Sequence, residues 1–136
     1  MTTPESGTAV YRDMTPAVLC EEYQPALHVA SAPQAIEGYR IRGEHARRSL
    51  AHQRLEYGNH PEEWLWYVPS DRPDAPLLVF LHGGYWRRLS ADDGCLLSIA
   101  ASDNGVAFAS INYTLCPAAA LANLVDQARR AVGFLV

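Results

Sequence analysis

No stretch of this sequence approaches the roughly 18 consecutive apolar residues that a membrane-spanning helix needs. The opening MTTPESGTAV has neither the basic start nor the apolar run of a secretory leader, so a cytoplasmic chain is expected. Cysteine is scarce. Cys20, Cys95 and Cys116 are odd in number and show no CxxC spacing, which argues against a disulfide framework and a zinc site. No metal or cofactor is therefore expected. Positive charge is also short, with 11 Lys and Arg against 15 Asp and Glu for a net charge of -4. The pairs Arg47-Arg48, Arg87-Arg88 and Arg129-Arg130 are too scattered to form a phosphate-binding stripe, so no nucleic-acid partner is expected. There is no internal repeat or low-complexity tract, and neither G-x-G-x-x-G nor a P-loop, which sets aside a nucleotide-binding protein.

What remains is an ordinary globular composition, 49% hydrophobic and 19% charged, in 136 residues: one domain at most. The expected elements fall into two stretches, a helical N-terminal segment over residues 1–53 and a sheet-forming region over 54–136. Thr15 reads as the N-cap of a short helix to Gln24, with Pro16 at its first position and Pro25 as its stop. Ser31 and Gln34 have capping-box spacing and open a longer helix. The apolar side of that helix runs Ile36, Tyr39, Ala46, Leu50, and Gly38 and Gly43 weaken it. Arg54–Tyr57 and Glu63–Val68 read as an antiparallel hairpin around Gly58-Asn59. Pro69 to Pro76 is a loop.

Leu77–Leu81 is a five-residue apolar run without alternation, the pattern of a strand buried on both faces of a sheet. A helix is expected over Ala91–Ser102, a second buried strand over Val106–Ile111, and a last helix from about Ala119. The last helix should put Leu121, Leu124, Val125, Ala128, Val132 and Leu135 on its packed face. Asn123, Asp126, Gln127, Arg129 and Arg130 should take the other. Strand, helix, strand, helix at this spacing is a βαβ unit of a parallel sheet behind an antiparallel meander, an α/β fold.

The chemistry-bearing string is His82-Gly83-Gly84-Tyr85-Trp86, directly after the first buried strand. Acyl-transfer enzymes must stabilise the oxygen that turns negative as a carbonyl becomes tetrahedral. Backbone N–H groups do so if no side chain obstructs them. Two glycines at the carboxyl end of a parallel strand give that clearance. A bare glycine pair would do no more than turn the chain, but His82, Tyr85 and Trp86 are specific residues to place around a simple turn.

LLVFLHGGYW, followed by Asn112-Tyr113-Thr114-Leu115-Cys116-Pro117, resembles the α/β-hydrolase superfamily, and within it the bacterial kynurenine formamidase (arylformamidase)-like and carboxylesterase branch. The early YRDMTPAVLCEEYQP is similar to the N-terminal helix of that branch. The resemblance implies that the backbone N–H groups of Gly83, Gly84 and Tyr85 face the substrate oxygen. It implies that His82 braces the loop, that Tyr85 and Trp86 line the acyl or aryl pocket, and that Asn112 and Tyr113 buttress the same face.

Such an enzyme also needs a nucleophile on a G-x-S-x-G turn, then an acid and a histidine in that chain order. No such string occurs. Ser90, Ser98, Ser102 and Ser110 lack the flanking glycines, and Cys95 follows Gly94 but has Leu97 where the second glycine belongs. His28, His45, His52 and His60 all precede the oxyanion strand and cannot take the base's place in that order. The expectation is an incomplete hydrolase fold with strands one to four only. It would be inactive alone, and the edge of Leu77–Leu81 would be open to self-association or aggregation. The competing expectation is a non-catalytic interaction module completed by a partner chain.

Overall fold

The computed structural model describes residues 7–136. They divide into two compact units between Glu37 and Gly38. The first carries α1 (Pro16–Glu22), capped at Thr15 by a hydrogen bond from the Val18 amide to the threonine hydroxyl, and a 3-10 turn over Pro25–Leu27. The cap and Pro16 stand where the sequence places them. α2 (Ala32–Ser49) runs unbroken through both of its glycines. Gly43 has a steric reason to be there, since a Cβ on it would collide with the backbone carbonyl of Asp92. Of the expected apolar side of α2, Ala46 is fully buried, whereas Ile36 and Tyr39 remain exposed.

The second unit holds one four-stranded sheet in the order β1-β2-β4-β3. β1 (Gln53–Glu56) and β2 (Trp64–Val68) form the expected antiparallel hairpin, with Leu55 opposite Leu65. β2 also pairs antiparallel with β4 (Ala107–Ile111), and β4 pairs parallel with β3 (Leu77–Leu81) in the register Val79 opposite Ala109. All five residues of β4 are buried, between β2 on one side and β3 on the other.

β3 departs from the expectation of burial on both faces, for Leu78 and Leu81 are 45% and 43% exposed. The reason is topological: β3 is a border strand, and its second edge has no partner in the sheet. The fold is thus an α/β arrangement with an antiparallel start, a parallel β3–β4 pair and four strands.

Side-chain alternation along the strands sends two cores to opposite faces. On one face Val68, Ala101 and Phe108 pack with Phe80 and Leu97. On the other Leu65, Ala109, Ile111 and Ala131 pack with Leu77, Val79 and Leu135. Fully buried side chains such as Phe108, Leu65 and Ile111 contribute about 1.5–3 kcal/mol each in burial free energy.

The helix expected over Ala91–Ser102 is interrupted. α3 (Ala91–Gly94) gives way to a 3-10 turn at Cys95–Leu97 before α4 (Ser98–Asp103). The last helix, α5 (Leu121–Leu135), is rotated from the expected face. Its buried line is Leu124, Gln127 and Ala131, while Leu121, Val125 and Val132 are 49%, 45% and 41% exposed. Gln127 is turned inward because the loop after β4 offers it a polar partner.

Candidate active site

The loop His82 to Leu89 leaves the carboxyl end of β3 in a tight, left-handed course. Gly84, Tyr85, Trp86 and Leu89 all have positive φ, at 101°, 59°, 59° and 67°. Glycine is required at only one of its two positions. A Cβ on Gly84 would strike the Arg88 carbonyl, besides the positive φ, whereas a Cβ on Gly83 would meet nothing within 4 Å. The turn is closed by the amides of Arg87 and Arg88, each donating to the Gly84 carbonyl at 3.1 Å, and by the Cys116 amide donating to the Trp86 carbonyl at 2.7 Å.

Among the described residues, the amides of Gly83 and Gly84 donate no hydrogen bond. The Tyr85 and Trp86 side chains are half-exposed, their rings 5.3 Å apart and tilted by 53°.

Beneath the loop, His82 and Tyr113 are both buried and stack face to face, centroids 4.2 Å apart and planes within 2°. The Tyr113 hydroxyl donates to the His82 carbonyl at 2.7 Å, and His82 Nδ1 lies 2.8 Å from the Gly83 carbonyl. A carbonyl can only accept, so Nδ1 carries the proton and Nε2 the lone pair. Nε2 is buried and has no hydrogen-bond partner among the described residues. Burial lowers the His82 pKa and raises that of Tyr113, keeping both neutral.

Asn112 is buried one residue earlier and works as a three-way tie. Its Oδ1 accepts from the Ala91 amide at the start of α3, and its Nδ2 donates to the Glu62 carboxylate at 2.7 Å. Its own carbonyl accepts from the Tyr57 hydroxyl at 2.6 Å.

Sequence reasoning missed the polar layer behind this loop. The Thr114 amide donates to Gln127 Oε1, and Gln127 Nε2 donates back to the Thr114 hydroxyl, both at 2.9 Å. Glu63 is buried and ion-paired to Arg130; the bond from that guanidinium, with one from the His60 amide, holds its carboxyl below the usual range. The available signal was the helical spacing of Gln127 and Arg130, which puts Gln127 on the line of Leu124 and Ala131.

Of the alternative nucleophiles, Ser90, Ser98, Ser110 and Cys95 are engaged elsewhere. The Ser90 hydroxyl caps α3 and bonds Asp93. Ser98 and Ser110 are buried and donate to the carbonyls of Cys95 and Ala91. Burial pushes the Cys95 thiol up to about 11, and its sulfur also donates to the Ala91 carbonyl. Among the described residues no cluster of His, Cys, Asp or Glu could hold a metal ion, and no helix is long and apolar enough to cross a membrane.

A parallel β3–β4 pair carrying a helix on each face, an antiparallel hairpin on the far side of β4 and a glycine loop at the carboxyl end of β3 define the class: an α/β-hydrolase fold. Comparison with known proteins agrees. No family model matches the chain. It is 30% identical to a kynurenine formamidase of Salmo salar over 131 residues, 90% of this chain and 45% of that one. It is 36% identical to a kynurenine formamidase of Danio rerio over 67 residues, 48% of this chain and 23% of that one. A crystal structure of a proposed thioesterase from Silicibacter sp. TM1040 superposes with a TM-score of 0.80 at 24% identity, over 85% of this chain and 45% of that one. The chain has an α/β-hydrolase fold and is similar in sequence to kynurenine formamidases. It spans less than half the length of the relatives it matches.

Proposed function

We propose that this chain is the oxyanion-loop portion of a serine hydrolase acting on aryl formamide or carboxylic ester bonds, and that its 136 residues are inactive by themselves. The observation that carries the reading is the pair of unengaged amides, Gly83 and Gly84, at the carboxyl end of a parallel strand. In the complete enzyme a serine hydroxyl, relieved of its proton by histidine, attacks the substrate carbonyl. The loop amides receive the oxygen that becomes negative, the C–N or C–O bond breaks as the histidine passes its proton to the departing amine or alcohol, and water then releases the acid from the acyl-serine. Tyr85 and Trp86 line the acyl or aryl pocket, and no cofactor takes part.

Inactivity of the chain alone is supported by the lack of a G-x-S-x-G string in these residues and by the engaged hydroxyls of Ser90, Ser98 and Ser110. The test is a chimera in which this chain replaces the aligned portion of the Salmo salar relative, assayed with N-formyl anilides and aryl esters beside the 136-residue chain alone. Turnover by the chimera, with none by the chain alone, is expected. A folded chimera whose turnover is indifferent to Gly84→Pro, or turnover by the chain alone, would overturn the proposal.

The open edge of β3 favours a second reading, an interaction module completed by a partner chain. Size-exclusion chromatography separates the two: a discrete complex that never gains hydrolase activity supports the module.

A further inference from the structure

The loop's own hydrogen bonds reveal how its amides are aimed. In a planar trans peptide the C=O and the following N–H point in opposite directions. The carbonyl of His82 therefore belongs to the same rigid plane as the Gly83 N–H, and the carbonyl of Gly83 to the same plane as the Gly84 N–H. Each of these carbonyls is held by a different buried donor: the Tyr113 hydroxyl at 2.7 Å for the first, and His82 Nδ1–H at 2.8 Å for the second.

We infer that Tyr113 and His82 are positioning residues that lock the two glycine peptide planes one each, so that the Gly83 and Gly84 N–H groups face outward as hydrogen-bond donors. The inference rests on the hydrolase reading for its purpose, not for its geometry. Glycine peptides are the ones that need such locks, because without a Cβ the plane can turn over at little steric cost. A turned plane would present a carbonyl to the incoming oxyanion and repel it. The same bonds polarise the amides, since a peptide whose C=O accepts a strong hydrogen bond becomes a better N–H donor. The two locks are also joined to each other. The imidazole rests flat on the Tyr113 ring and has no tether besides Nδ1–H among the described residues, so Tyr113 aims the first plane directly and the second through the stack.

Nuclear magnetic resonance on the full 136-residue chain tests this without any substrate. The His82 side-chain nitrogens should show the Nδ1–H tautomer, and an Nε2–H tautomer would overturn the inference even if every variant failed to fold. Tyr113→Phe keeps the stack and removes one donor, and should move the Gly83 amide proton upfield more than that of Gly84. His82→Phe should do the reverse. Equal shifts at both glycines in both variants, or no shift in either, would overturn it. In the chimera described above, Tyr113→Phe should lower kcat about 10-fold, less than the 10²–10³-fold cost of losing an oxyanion donor outright, with KM within twofold. An unchanged kcat would overturn the positioning role. The tautomer and shift results stand or fall independently of whether the chimera hydrolyses anything, so a failed hydrolase reading remains distinguishable from failed plane locks.

Discussion

Gly84 and Arg88 meet backbone to backbone: the hydrogen that glycine carries in place of a side chain points at the Arg88 carbonyl, and the Arg88 amide returns a hydrogen bond to the Gly84 carbonyl. Gly83, its neighbour, faces open space. The two glycines therefore differ in what they tolerate. Gly84→Ala should destabilise the folded chain by about 1–3 kcal/mol, from backbone strain at φ 101° and the clash. Gly83→Ala should leave stability within about 0.5 kcal/mol. Urea unfolding monitored by tryptophan fluorescence measures both, and equal losses would contradict the steric argument.

Buried Glu63 gives the fold an acid-sensitive point. Its carboxyl is held below the ordinary value of 4.5, first by the bond from Arg130. A depressed carboxylate pKa contributes stability that is complete above the ordinary value and disappears as pH falls through the folded one. Glu63→Gln should therefore lower Tm at pH 7. Its difference from the parent chain should shrink as pH is lowered below about 4.5. A difference that stayed constant from pH 7 to pH 3 would show that the ion pair is not its source.

The cysteines should separate by reactivity. Cys95 is buried, and its thiol pKa is pushed up to about 11, so at pH 8 almost none of it is thiolate. Cys20 is exposed. A thiol reagent at pH 8 should label Cys20 in the native chain and reach Cys95 only after denaturation, as mass spectrometry of the digested protein would record. Equal labelling rates in the native chain would refute the packing around Cys95.

The border of β3 should govern self-association. A strand edge of unpaired N–H and C=O groups with half-exposed Leu78 and Leu81 is a template for a further strand. Leu81→Lys should reduce concentration-dependent light scattering while leaving the far-ultraviolet circular dichroism intact. Scattering that did not change would place the adhesive surface elsewhere, the apolar line Leu121, Val125, Val132 of α5 being next in order.

Much of this architecture was legible in the residues because local rules and tertiary structure agree there. Thr15 and Pro16 cap a helix by their own chemistry, the two strands expected on either side of Gly58-Asn59 do pair although the hydrogen-bonded turn falls at His60–Glu63, and LLVFL forms a strand paired parallel with β4. The string HGGYW marked the place of the loop at the carboxyl end of β3. Periodicity failed where a partner across the fold decides the outcome. In α5 the apolar count favoured the Leu121–Val125–Val132 line, but Gln127 is drawn inward by Thr114, over a separation of 13 residues. The break at Cys95–Leu97 escaped for a different reason. There the Ser98 amide donates to the Cys95 carbonyl three residues back and the Ser98 hydroxyl donates to it as well, a local closure that an apolar period does not encode. That β3 would be only half covered depended on strand order, which five apolar residues in a row do not reveal.

The bond from Tyr113 to the His82 carbonyl spans 31 residues of chain. On the ribosome the glycine turn therefore emerges well before the tyrosine that aims it, and the intervening stretch must first fold into α3, α4 and β4. Until β4 docks beside β3, the His82 carbonyl lacks this donor. The final shape of the glycine turn is thus tied to a strand made later, the one that delivers its clasp.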